Sequence, residues 1–121
     1  MKIAVGGMNK NEMSDAIKKF DPEIETVITT DIDAASMLKK GEADYYFGAC
    51  HSGGGSAISV LIGLVGYSNC CTACKTSSRP NPVDIAKYVN EGKFVFGMTV
   101  DGLQETVPII LENLRNKEKG E

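Results

Sequence analysis

No stretch of this sequence is apolar for long enough to cross a membrane. The longest apolar segment, Ala57 to Tyr67, is interrupted by Ser59, Gly63 and Gly66, whereas a spanning helix needs about 20 residues. A secretory leader is not expected either, because Met1-Lys2-Ile3-Ala4-Val5 runs into Gly6-Gly7 after too few apolar residues. These features lead us to expect a cytoplasmic protein without membrane insertion. Charge of one sign is also scarce. The net charge is −3, with acids and bases mixed along the chain, which argues against nucleic acid as a partner. The sequence has neither a Walker loop, which closes on Gly-Lys-Ser/Thr, nor a Gly-x-Gly-x-x-Gly fingerprint. No cofactor is implied.

What remains is ordinary for a globular chain: 121 residues, 42% hydrophobic and 24% charged. This length fits one domain over residues 1–116, with 117–121 as a solvated tail. Four cysteines occur, at positions 50, 70, 71 and 74, and in a reducing compartment they are thiols. A strand over Asn69 to Cys74 would put Cys70 and Cys74 on one face and Cys71 on the other. That arrangement suits packing, and no metal site is expected.

Periodicity gives the elements. Lys2 to Val5, Ile24 to Thr30, Ala43 to Ala49, Asn69 to Cys74 and Lys93 to Thr99 are the strand-like runs. Between them, Met13, Ala16, Ile17 and Phe20 mark one helical face, with Asn9 and Glu12 as its capping box. Asp31 or Asp33 can cap a second helix carrying Ala34, Met37 and Leu38, ended by Gly41. A third helix, from about Ser56 to Val65, is apolar on nearly every side and so is expected to be buried, in the core or against another subunit. Asn81-Pro82 supplies a cap and a first-turn proline for a fourth. Leu103, Val107, Ile110, Leu111 and Leu114 mark a fifth, with Pro108 placing its start near Glu105 or Thr106.

Alternating strands and helices predict an α/β protein with three αβα layers. Its five-stranded sheet should be mostly parallel and flavodoxin- or Rossmann-like, in the order 2-1-3-4-5. One internal echo stands out: Gly41 to Gly48 resembles Glu91 to Gly97, each a helix-ending glycine, a strand and a glycine near the strand's end.

In such a sheet ligands bind beyond the carboxyl ends of the strands. Strand one delivers Gly6, Gly7 and Asn9 there. Strand three delivers Cys50, His51, Ser52, Gly53, Gly54, Gly55 and Ser56. The fourth delivers Cys74, Lys75 and Thr76, and the fifth Thr99 and Asp101. The three consecutive glycines allow close backbone approach, and the following helix N-terminus favours an anion. Ser52 and Ser56 can add hydroxyl donors. His51, the one histidine, can serve as general acid or base near neutral pH. Cys50 becomes a nucleophile if its thiol is acidified by His51 or the helix. Buried packing of Cys50 and helix capping by Thr99 and Asp101 are the alternatives.

Two stretches carry a family resemblance. Gly41-Glu42-Ala43-Asp44-Tyr45-Tyr46-Phe47-Gly48-Ala49-Cys50, with Ser52 to Gly55 and Ala57-Ile58-Ser59, resembles the YhfU-like bacterial proteins of unknown function. Met1 to Gly7 and Glu91 to Gly97 fit as well, so the likeness covers almost the whole chain. It implies a bacterial, cytosolic α/β protein and brings no activity. A looser likeness is to sugar-phosphate isomerases of the ribose-5-phosphate isomerase B type, with Gly41, Ala43, Asp44 and Cys50 to Ser56 corresponding. Gly6-Gly7-Met8-Asn9 stands where that family has Ser-Asp-His-Ala.

Three functions compete. The first is binding of a small anionic metabolite, bearing phosphate or carboxylate, at the glycine turn by a homo-oligomer joined through the Ala57–Val65 helix. The second is a sugar-phosphate isomerase or lyase using Cys50 and His51. The third is a partner subunit of a transport or metabolic complex.

Overall fold

The computed structural model describes residues 1–52 and 54–120. The first half of the chain forms β1 (Lys2–Gly7), α1 (Lys10–Phe20), β2 (Glu25–Ile28), α2 (Asp31–Lys39) and β3 (Tyr45–Cys50). A helical segment follows in two pieces, α3 (Gly54–Ala57) and α4 (Ser59–Val65). The chain ends with β4 (Cys70–Thr72), α5 (Pro82–Asn90), β5 (Val95–Thr99) and α6 (Leu103–Glu118). All strands pair in parallel in one five-stranded sheet. It is a three-layer α/β fold, as expected.

Each face of the sheet carries its own core. On the first face, Ile3, Val5, Phe47, Ala49, Phe96 and Met98 pack against residues of α1, α5 and α6, and Phe47 meets Phe96 edge to face at 5.6 Å. On the second, Ala4, Tyr46 and Val95 pack against Ala34 and Ala35 of α2 and against Ile58 and Leu61. Strand alternation sorts these side chains to the two faces.

The strand order is β2-β1-β3-β5-β4, which corrects the expected 2-1-3-4-5. Crossovers of one hand explain it. Connections running from β1 to β2 and from β4 to β5 lie over the first face, and those running the other way, β2 to β3 and β3 to β4, lie over the second. Ile85 and Val89 of α5 belong to the first-face core, so α5 must return toward β1, and β5 inserts between β3 and β4. Burial agrees: β5 is buried at every position, while the three-residue β4 sits at the edge.

Four further expectations are corrected. Asn9 adopts the left-handed region (φ 54°) and its side chain makes no cap bond; it donates to Glu12 at 3.0 Å instead. Thr30, not Asp31 or Asp33, caps α2 by accepting the Asp33 N–H. α6 starts at Leu103 with Pro108 inside it. The cost is small because Pro108 and Gln104, whose carbonyl loses its N–H partner, both lie on the exposed side. Alternation carries one residue past the end of β4, with Ala73 beside Cys71 in the first-face core and its N–H on the Gly97 carbonyl; it breaks there, so Cys74 joins the same core while Cys70 lies on the second.

The α3–α4 segment is not buried all round. Leu61 is buried, but Val60 is 41% and Leu64 38% exposed. Lys117 and Glu118, assigned to the tail, are helical, and Lys117 donates to the Val89 carbonyl at 3.1 Å; Glu121 lies outside the described residues. No described helix is long and apolar enough to cross a membrane.

Candidate functional site

After β3 the chain turns to the second face, whereas after β1 and β5 it turns to the first. Chains leaving neighbouring strands in opposite directions open a crevice at the carboxyl edge. Such a point lies on either side of β3.

The β1 side is closed. The Met8 N–H donates to the Ala49 carbonyl at 2.8 Å. Gly7, at φ 75°, stands so close that a Cβ there would strike the Ala49 backbone. Gly6, Gly48 and Gly97 pair in a row across β1, β3 and β5. The fully buried Tyr46 ring lies along this row: a Cβ on Gly6 or Gly48 would come within 2.5 or 2.6 Å of its hydroxyl. That hydroxyl donates to Asp31 Oδ1 at 2.5 Å. Burial first, then the bond to Asp31, pushes the Tyr46 hydroxyl well above the ordinary tyrosine value.

The β5 side is open, as a cleft of about 330 Å³. β3 contributes His51 from its end, and β5 contributes Thr99, Asp101 and Gly102. They meet because Cys50 is in register with Thr99 and the Val100 N–H donates to the Cys50 carbonyl at 3.2 Å. The remaining wall is the loop after β4, with Thr76, Ser77 and Arg79, and across from it Glu105 of α6. Thr76 Oγ1 donates to the Ser52 carbonyl at 3.0 Å, tying this loop to the glycine turn. Beneath it, the Cys74 thiol is buried 3.4 Å from the Ser78 carbonyl and 3.6 Å from Thr99 Oγ1. Thr99 Oγ1 accepts the Gly102 N–H at 3.1 Å, closing the turn that leads into α6, whose N-cap is Gly102 without a side-chain cap bond.

Of the expected site residues, the structure brings His51, Thr76, Thr99 and Asp101 into one cleft. Ser52 stands at its border, and Cys50, half-buried at the end of β3, has its Sγ 3.2 Å from Ser52 Oγ. Gly54 opens α3, where Gly55 and Ser56 are exposed; Gly53 lies outside the described residues. The helix expected over Ser56 to Val65 is interrupted at Ile58 (φ −122°, ψ 6°), so only one turn of aligned dipoles stands behind the glycines. Lys75 lines an adjoining groove of about 190 Å³ on the other side of the loop, with Asn81, Asp84 and Tyr88, and Ser78 and Arg79 border both. Gly7 and Asn9 belong to the closed side.

Arg79 and Glu105 were not anticipated. Arg79 is one of two arginines, directly before Pro80, and an arginine in a strand-to-helix loop at the binding edge is a usable signal. Glu105 reads in sequence only as a first-turn acid of a helix.

Residues 1–114 match the family described as protein of unknown function DUF2620, and the chain belongs to it. It is 35% identical over 115 residues to the uncharacterized protein YhfU of Escherichia coli K12, across 94% of this chain and 98% of that one. YhfU of Shigella flexneri matches equally. Among solved structures, the chain is similar to the type B ribose 5-phosphate isomerase of Trypanosoma cruzi, with TM-score 0.71 and 14% identity over 98% of this chain and 95% of that one. It is also similar to ribose-5-phosphate isomerase B of Clostridium thermocellum, with TM-score 0.63 and 19% identity over 95% and 84%. At these identities the likeness to solved structures shows the fold.

Proposed function

We propose that this DUF2620 member binds a small anionic metabolite, bearing a phosphate or carboxylate, in the cleft between the glycine turn and the start of α6. One observation carries the proposal: the β3–β5 pairing sets His51 beside Thr99 and Asp101 at the carboxyl edge, where Arg79 from the loop after β4 lines the same opening. The cleft's volume lies at the lower end for small-molecule sites. Glycines in the turn after β3 permit close backbone approach beside the cleft, and Ser52, whose hydroxyl lies 3.2 Å from Cys50 Sγ and whose carbonyl accepts from Thr76, stands at its border. The bacterial relatives and the lack of a spanning helix among the described residues support a cytoplasmic location. The exposed Val60 and Leu64 side chains support self-association through α4.

A second reading, a sugar-phosphate isomerase or lyase, is favoured by the fold of the solved neighbours and by the placement of Cys50 and His51 at the turn. A thiol and an imidazole are acid–base groups suited to moving a proton between neighbouring carbons.

Thermal unfolding with a panel of sugar phosphates and carboxylates tests the binding reading. A bound ligand at a hundredfold excess over Kd stabilises by about 2.7 kcal/mol, and His51→Ala should reduce that gain. No stabilisation by any anion removes the proposal. For the second reading, Cys50→Ala and His51→Ala should each abolish turnover of ribose 5-phosphate in a folded protein; turnover unchanged in both excludes it.

A further inference from the structure

We infer that Arg79 takes the acidic group of the ligand, and that Glu105 holds the seat of that group while the cleft is empty. This rests on the proposed anion-binding reading and adds the residue that selects the charge. Arg79 Nε donates to Glu105 Oε2 at 3.0 Å and to Oε1 at 3.3 Å, and Nη2 donates to Oε2 at 2.5 Å. This is the forked geometry with which arginine grips a carboxylate or phosphate. The Glu105 carboxylate therefore occupies the position an incoming anion needs.

Three features make the contact exchangeable. First, both side chains are accessible, 85% exposed for Arg79 and 43% for Glu105, and such pairs add little to stability. Second, only the arginine side chain has to move. The backbone on either side is held by the Thr76 bond to Ser52, by buried Pro80, and by Asn81, whose side chain accepts the Val83 and Asp84 N–H groups to cap α5. Third, Glu105 lies in the first turn of the 16-residue α6, where the helix dipole favours a carboxylate after its partner has turned away.

The charges of the cleft give the exchange its consequence. Among the described lining residues Arg79 carries the one permanent positive charge, against the carboxylates of Asp101 and Glu105. An anion entering the cleft competes with Glu105 for the guanidinium, so Glu105 sets the affinity. An ion pair that merely decorates the surface predicts no such competition.

Calorimetric titration with inorganic phosphate at low ionic strength tests this with three variants. Glu105→Gln should tighten phosphate binding about tenfold, the factor of one charge-assisted hydrogen bond. Arg79→Gln should weaken it by a similar factor or abolish it. In the Arg79→Gln background, Glu105→Gln should have no further effect, which separates release of the guanidinium from simple removal of a negative charge. Unchanged Tm in each variant shows that the fold is kept. If the native protein binds phosphate and neither single variant alters the affinity, or Glu105→Gln weakens it, the exchange is overturned and the anion site stands. If neither the native protein nor Glu105→Gln binds phosphate, both fail.

Discussion

The two sides of β3 end in opposite ways at the same sheet edge. On the β1 side a buried tyrosine hydroxyl is locked to a carboxylate over a row of glycines. On the β5 side an arginine and a glutamate meet in the open, at the wall of a cleft. Both contacts join a donor to a carboxylate, and surroundings decide what each does. A buried polar group without its partner is costly, so Tyr46 and Asp31 form a fixed part of the fold. An exposed ion pair exchanges partners at little cost, so the contact between Arg79 and Glu105 can open without disturbing the fold. The fold thus keeps one crevice rigid and leaves the other available.

The largest break in this contrast should come from Tyr46→Ala, which empties the space over the glycine row. Urea denaturation should show a loss of about 3–5 kcal/mol, whereas Arg79→Gln should leave the midpoint where it is. Next, Gly48→Ala puts a methyl against the Tyr46 hydroxyl and should cost about 1–3 kcal/mol, the range for overpacking. A Gly48→Ala protein of native stability would mean that the tyrosine is not fixed.

Tyr46→Phe removes the bond alone and should cost about 1 kcal/mol, because Asp31 remains half in water. It also sharpens the pH response. The folded state holds the Tyr46 proton more tightly than the unfolded chain does. Its contribution is therefore complete below the ordinary tyrosine value near pH 10 and falls as pH rises above it. Tyr46→Phe should flatten the alkaline fall. A shallower decline should persist, since burial also raises Tyr45 and pushes the Cys71 thiol up to about 12.

The smallest effect concerns Glu12, which links the two sides by accepting from Gln104 of α6 and from Asn9 of the β1 turn, each at 3.0 Å. These bonds, Gln104's first, hold its carboxyl below the usual value. Their contribution is present above the unfolded carboxylate value and is lost as pH falls through the folded one. Glu12→Gln should slightly soften the acid decline of Tm.

Much of the local structure was legible. Met13, Ala16 and Ile17 are buried along one face of α1, and Asn81-Pro82 caps and starts α5. The echo between Gly41–Gly48 and Glu91–Gly97 turns out to be two adjacent strands, with Gly48 opposite Gly97. These features depend on residues near one another in the chain. The Asn9 cap was misjudged because the left-handed turn there sits beside the Met8 bond to β3, a partner distant in sequence. The early start of α6 was missed because the Thr99 hydroxyl closes its entry before Pro108 is reached.

By itself, the sequence determined the α/β class, the alternation of elements and the glycine turn with His51 at its rim, since periodicity and turn chemistry are local. Only the tertiary structure decided what stands beside that turn. Had β4 lain next to β3, its end would have separated His51 from Thr99 and Asp101. The packing of Ile85 and Val89 on the first face brought β5 in between. That choice of face sums many weak contacts across the whole core, and no spacing along the chain records it.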